Sequence, residues 1–187
     1  MSANVYEIRR ATEADLPLIE RWLGERHVAK WWGKVLQGLA EIREHIHGSD
    51  AEPFIVMHEG QPIGYLQTYP AEADADIPPQ PSGTLGVDFF IGEVGALGQG
   101  HGPGMLNQLA MQCVGAGVVR LVSDPDGRNV SSVGCLGRAG FTPVSLIGPS
   151  AARRLLMSRD LVPQPVARSQ DRSGRRRQRA SRAQRPQ

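Results

Sequence analysis

Apolar and polar side chains alternate from Val5 to Arg10, the period of a strand with one buried face. The period then changes. Leu16, Ile19, Trp22 and Leu23 recur at helical spacing, Thr12 and Asp15 have the spacing of a capping box before them, and Gly24 is a natural stop. Leu36, Leu39, Ala40 and Ile46 predict a second amphipathic helix over Leu36 to His47, with His45 and His47 in solvent near its C-terminus, where positive charge is tolerated. Pro53 to Met57 and Pro62 to Tyr69 are apolar runs joined by His58-Glu59-Gly60-Gln61, the pattern of a hairpin. A further strand is expected over Leu85 to Ile91. Met105, Leu106, Leu109, Met111, Cys113 and Val114 then predict a helix, and Val118 to Val122 a strand. A short helix over Asn129 to Arg138 stops at Ala139-Gly140, and Phe141 to Leu146 and Arg153 to Met157 form a closing pair of strands. The order β, α, α, β, β, β, α, β, α, β, β predicts an α/β or mixed α+β domain, with helices flanking a mixed sheet. No internal repeat interrupts it.

Three stretches depart from simple periodicity. In His27-Val-Ala-Lys-Trp31-Trp32-Gly33, adjacent tryptophans cannot both point inward from one helix face, so one is expected to border a cleft or to wedge a helix corner. Pro70 to Ser82 is a proline-rich acidic loop carrying Glu72, Asp74 and Asp76, either a solvated connection or a lid that attracts cations. The third is Leu97-Gly-Gln-Gly-His-Gly102, which follows an apolar strand and opens a helix at Pro103-Gly-Met-Leu. Glycines there permit close backbone approach, and a helix N-terminus offers unpaired N–H groups, so a diphosphate is the natural guest. An ordinary glycine-rich connection is the other reading. No Gly-Lys-Ser/Thr follows, as a P-loop requires, and no dinucleotide fingerprint precedes a ribose-reading acid.

Charge divides the 187 residues unevenly. Pro163 to Gln187 carries eight arginines against one aspartate, so the net charge of +2 conceals a body near −5 and a tail near +7. Residues 1–162 are therefore expected to fold as one domain. Residues 163–187, nearly devoid of apolar side chains, are expected to be a disordered Arg-rich tail, with weak nucleic-acid association as its minority role. Cys113 and Cys135 both fall inside predicted helices without metal-ligand spacing, which suggests reduced core residues of a cytoplasmic protein and no metal site. The first residues lack the basic start and apolar core of a leader, and no run reaches the ~18 apolar residues of a membrane span.

With these elements in place, the chain resembles the GNAT superfamily of acetyl-CoA-dependent N-acetyltransferases over roughly residues 5–160. Four ordered motifs narrow the resemblance to the aminoglycoside 6'-N-acetyltransferase branch: Trp31-Trp32-Gly33, Pro62-Ile-Gly-Tyr65-Leu-Gln67-Thr-Tyr69, Gly86-Val-Asp88-Phe-Phe-Ile-Gly-Glu93, and Ser123-Asp124-Pro125 with Asn129. The resemblance implies a mixed, mostly antiparallel sheet and acetyl-CoA as cosubstrate. Gly98, Gln99, Gly100, His101, Gly102, Gly104 and Asn129 would hold the cofactor, and the main chain of Phe89, Phe90 and Ile91 would run beside its pantetheine arm. Asp88 would be the general base for a primary amine attacking the thioester directly. Trp32, Gln67, Tyr69, Asp74 and Asp124 would contact an acceptor of polycationic character, in a monomer or homodimer.

Two departures from the family pattern weigh on the chemistry. Leu136 stands where many members place a tyrosine that protonates the leaving thiolate, and Pro103 stands where an N–H would face a phosphate. Alternatives therefore include acetylation of another amine (a polyamine, a siderophore precursor or a peptide N-terminus) and a non-catalytic acyl-CoA-binding protein.

Overall fold

The computed structural model describes residues 6–150 and 152–161, so the expected tail at 163–187 lies outside the described residues. Strands β1 (Tyr6–Arg10), β2 (Glu52–His58), β3 (Gln61–Pro70), β4 (Thr84–Ile91), β5 (Arg120–Ser123), β6 (Thr142–Ile147) and β7 (Arg154–Asp160) form one sheet in the order β1-β2-β3-β4-β5-β7-β6. All neighbours are antiparallel except β4 and β5. The helices are α1 (Leu16–Gly24), α2 (Arg26–Trp32), α3 (Val35–His47), α4 (His101–Gly115) and α5 (Val130–Arg138).

Three helices, rather than the expected two, precede β2. The seven residues of α2 bury only Val28, too few apolar positions to establish a period in the sequence. At the start of α1, Asp15 accepts from the Thr12 amide at 2.8 Å and its hydroxyl at 3.0 Å. Arg9 clamps the same carboxylate with two bonds of 2.9 and 2.7 Å, which holds Asp15 below the usual aspartate range.

Strand alternation separates the interior into two faces. Ile55, Tyr65 and Phe90 point to one side and join Ile19, Trp22, Leu23, Val28 and Ile42 beneath α1, α2 and α3. Val56, Leu66, Val87 and Leu121 point to the other and join Met105, Leu106, Leu109 and Leu136 beneath α4 and α5. Cys113 and Cys135 lie in that second cluster as free, buried thiols, the Cys135 thiol pushed up to about 11 by burial. A smaller cluster of Ala71, Ile77, Val122, Ile147 and Leu156, with Tyr69 against it, seats the acidic loop on the sheet. Among the described residues, no helix is long and apolar enough to cross a membrane.

Candidate active site

The site originates in the sheet register. β4 pairs with β5 only through Thr84↔Arg120, Leu85↔Leu121 and Gly86↔Val122, while its other edge stays paired with β3 as far as Gly64↔Ile91. Beyond Gly86 the parallel strands part. Asp88 lies two residues past Gly86, and Asp124 two past Val122. Period-two alternation therefore puts both carboxylates on one face, on either side of the gap where pairing has stopped. That gap leaves main-chain groups of Val87 to Ile91 without a β5 partner, and it is here that Phe89, Phe90 and Ile91 were expected to run along an extended ligand.

On this face Gln67 is the register partner of Asp88 and donates to its Oδ2 at 3.0 Å. Tyr65, two residues before Gln67, donates to Gln67 Oε1 at 2.8 Å. The result is a polar relay, Tyr65 to Gln67 to Asp88, with every donor pointed toward the carboxylate. Burial raises Asp88 above the usual aspartate range, opposed by the Gln67 bond and by the positive charge of Arg154. Tyr65 is also raised, chiefly by burial and then by Asp88, so it remains a donor at any physiological pH.

Walls of the relay come from α2 and from the row beside it. The Trp32 ring meets Phe90 edge-on at 4.9 Å and Tyr65 at 5.7 Å, which makes it the half-buried lip of the first core cluster. Its neighbour Trp31 turns away and carries Lys30 over its ring at 4.5 Å. The Tyr69 ring covers Gly86, where a Cβ would come within 2.2 to 2.8 Å of ring atoms, so the residue opposite Tyr69 must be glycine. Phe89 and Ile91 side chains pack into the opposite core, which leaves their main chain as the part available to a ligand. The Ile91 carbonyl already accepts from His27 Nε2 at 2.8 Å.

Arg154 is a site residue that sequence reasoning missed. Its Nη1 lies 2.6 Å from Asp124 Oδ2 and 3.1 Å from Asp74 Oδ2, and its Nη2 lies 2.7 Å from Asp76 Oδ2. The acidic loop is thereby tied to the end of β5. Burial pushes Asp124 up to about 7 despite Arg154, and Asp88 and Asp74 push it further in the same direction. His45 is a second omission and a correction: its Nδ1 is buried, with no hydrogen-bond partner among the described residues, and a positive charge on it would act on Asp88. Only His47 is exposed, 2.7 Å from Glu13. A position in the last turn of an amphipathic helix looks solvated until α1, α2 and β2 are packed against that helix.

The glycine loop divides by physical role. Gly98 and Gly100 have φ of 73° and 84°, and a Cβ on either would meet nothing within 4 Å, so both shape the turn and leave open space above it. Gly102 and Gly104 serve packing: a Cβ would strike Cys135 Sγ at 2.6 Å and the Tyr6 ring at 2.4 Å. The Gly104 amide donates to Gly100 O at 3.2 Å, which closes the first turn of α4, whereas Pro103 has no N–H. His101 turns inward and hydrogen-bonds the Tyr6 hydroxyl through Nδ1 at 3.0 Å. Gln99 donates to the Gly95 carbonyl. Asn129 caps α5, its Oδ1 accepting from Ser132 N at 3.2 Å. The features open to an anion are thus the exposed Gly98 to Gly100 backbone and the start of a fifteen-residue helix. Among the described residues, no group of three or more His, Cys, Asp or Glu is placed to hold a metal ion.

Residues 11–148 match the acetyltransferase (GNAT) domain family. The chain belongs to the GNAT acetyltransferases. Members of this family use acetyl-CoA as cosubstrate, and the parted strands and open glycine turn suit its pantetheine arm and diphosphate. Among curated relatives of this GNAT chain is the aminoglycoside N(6')-acetyltransferase type 1 of Klebsiella pneumoniae, 30% identical over 145 residues that cover 72% of each chain. The protein of that name from Serratia marcescens matches to the same extent. Among solved GNAT structures, AAC(6')-Ib in complex with coenzyme A and kanamycin superimposes with a TM-score of 0.75 at 24% identity, covering 83% of this chain and 95% of that one. The aminoglycoside N(6')acetyltransferase of Legionella pneumophila gives 0.71 at 18% identity, over 86% and 94%. These superpositions establish the GNAT fold.

Proposed function

We propose that this GNAT enzyme transfers the acetyl group of acetyl-CoA to a primary amine of an aminoglycoside or related aminosugar, with Asp88 as general base. The observation that carries the reading is the pairing of Asp88 and Asp124 on one face where β4 leaves β5. One carboxylate is supported by a donor relay and raised by burial, which makes it a stronger proton acceptor than an ordinary aspartate. The other, with the acidic loop, forms the anionic wall that an ammonium-rich acceptor would meet.

In this reading the acceptor's ammonium loses one proton to Asp88. Its nitrogen lone pair attacks the thioester carbonyl carbon, the C–S bond breaks with its electron pair leaving on sulfur, and the new amide nitrogen gives up its second proton to solvent. Main-chain N–H groups freed along β4 are available to the developing oxyanion. Trp32, Gln67 and Tyr69 would orient the sugar. Leu136 is fully buried in the core, so no side chain there delivers a proton to the departing thiolate, and solvent would supply it.

The experiment is thiol release from acetyl-CoA with kanamycin as acceptor, run on the native chain and on Asp88→Asn. Turnover by the native chain and its loss in the variant, with coenzyme A binding retained in both, is the expected result. Equal turnover in both would remove Asp88 from the chemistry. Binding of coenzyme A without thiol release for any amine would leave the non-catalytic alternative standing.

A further inference from the structure

We propose that Arg154 determines acceptor specificity: its guanidinium is a built-in counter-cation that occupies the anionic wall and disfavours acceptors carrying several ammonium groups relative to those carrying one or two. The inference rests on the acetyltransferase reading above, and it narrows the acceptor class.

Three carboxylates converge on one side chain. Asp74 and Asp76 come from the loop after β3, Asp124 comes from the end of β5, and all three have an oxygen within 2.6 to 3.1 Å of Arg154. The sheet fixes the guanidinium's base. Arg154 pairs with Ile147 of β6 and bridges Asp126, and Leu155 N donates to Pro125 O at 2.8 Å. Arg154 lies two residues before Leu156, and Asp124 two after Val122. Leu156 and Val122 pack together in the small cluster beneath Tyr69, so the same alternation brings arginine and aspartate together above it.

The contact is tight but incomplete. The Asp124 side chain is 4% exposed, yet its Oδ2 receives no aligned hydrogen bond, because Arg154 Nη1 approaches it as a charge without directing an N–H along the line. A buried carboxylate oxygen in that condition still calls for a donor. That oxygen is covered, so an acceptor ammonium drawn to the wall meets the more exposed carboxylates of Asp74 and Asp76, sits beside Arg154 and is repelled by it. One ammonium can be placed at Asp88, which feels the charge of Arg154 but is not one of the three carboxylates that Arg154 contacts. A second or third has to share carboxylates that Arg154 already engages, and each like-charge contact beside this partly exposed guanidinium weakens binding.

The test is titration calorimetry on the full chain with coenzyme A present, using kanamycin as a tetraamine and glucosamine as a monoamine, at low and moderate salt. Arg154→Gln removes the charge and keeps hydrogen-bond donors for the acidic loop; Arg154→Lys keeps the charge. Arg154→Gln should tighten kanamycin about tenfold with a steeper salt dependence, and should change glucosamine less than about twofold, while Arg154→Lys stays close to the native chain for both. Should Arg154→Gln fail to fold, Asp76→Asn reads the same balance in reverse, weakening kanamycin more than glucosamine. Equal shifts for both ligands, weaker kanamycin binding in Arg154→Gln, or no kanamycin binding to any of these proteins would overturn the inference. Selective tightening in a protein that acetylates neither amine would uphold it and remove the acetyl-transfer reading instead.

Discussion

Gln67 stands directly across the β3–β4 ladder from Asp88 and donates to it at 3.0 Å, while its own oxygen is held by Tyr65. The amide orientation is therefore set, because with Oε1 accepting from Tyr65 only the NH₂ end can face the carboxylate. A donor to the ionised form lowers a carboxyl pKa, and Gln67 is the leading influence that restrains the rise burial imposes on Asp88. Replacing Gln67 with leucine should raise Asp88 further. A base must be ionised to work, so the acidic limb of the kcat/KM profile is expected to move to higher pH. Asp88→Asn should lower kcat by about 10²- to 10⁴-fold across the pH range. Acetyl-thiol turnover measured from about pH 5 to 9 checks both; an unmoved limb in Gln67→Leu would show that the relay does not tune the base.

Asp124 makes a prediction about stability with the opposite sign to ordinary paired carboxylates. Its folded value of about 7 exceeds the ordinary 3.8, so between those values the folded chain holds a proton that the unfolded chain has released. The contribution is fully present below the unfolded value and is lost as pH rises through about 7. Asp15, lowered by Arg9, behaves the other way and loses its contribution as pH falls. The groups acting on Asp124 are Arg154, Asp88 and Asp74, so Asp124→Asn isolates its share. Urea denaturation midpoints should decline from about pH 5 to pH 7.5 in the native chain and decline less in the variant. Parallel declines would exclude Asp124 as their source.

Much of this architecture could be read before folding, and the exceptions share a cause. Leu16 to Leu23 announced a helix because burial on one face is a local pattern, and the apolar run from Pro62 to Tyr69 announced a strand buried on both faces. The residues expected to gather at the site, Trp32, Gln67, Tyr69, Asp74, Asp88 and Asp124, do surround the point where β4 and β5 part. What stayed hidden was pairing across the chain. Arg154 sits in an Arg-Arg-Leu-Leu-Met run that reads only as a strand, and its partners lie some 30 to 80 positions earlier. The one available signal was its two-residue offset from Leu156. His45 was hidden for the same reason, since the covered Nδ1 of a half-buried helix residue is recognised only when the elements packed against that helix are known. The glycine loop was misjudged in part: four glycines looked alike, yet two serve the turn and two serve packing.

That division can be tested by three alanine substitutions. At Gly102 a new methyl would collide with Cys135 Sγ at 2.6 Å, so Gly102→Ala should destabilise the fold by about 1–3 kcal/mol through overpacking. At Gly98 there is space, but φ is 73°, and the cost should be about 1 kcal/mol from the left-handed backbone. Gly95 has neither obstacle, and Gly95→Ala should leave the thermal midpoint within about a degree or raise it slightly. Thermal denaturation of the three variants gives the ranking, and a Gly95→Ala loss as large as that of Gly102→Ala would contradict it.

Pro103 offers a gain-of-affinity prediction at the other end of the site. It is the third residue of α4, where an N–H would have no intrahelical partner, and the next amide, Gly104, is already bonded to Gly100 O. Proline suits the first turn by conformation but removes one donor from the helix end that would face a diphosphate. Pro103→Ala restores that donor and leaves the turn of Gly98 and Gly100 untouched. Coenzyme A should bind about three- to tenfold more tightly, the effect of one added hydrogen bond to a charged group reduced by the looser first turn. Desulfo-coenzyme A should show the same gain, because the added contact lies at the diphosphate. Dephosphorylated pantetheine, which lacks that diphosphate, should show none; an equal gain for pantetheine would mean that the substitution acts by loosening the helix and supplies no donor to a phosphate.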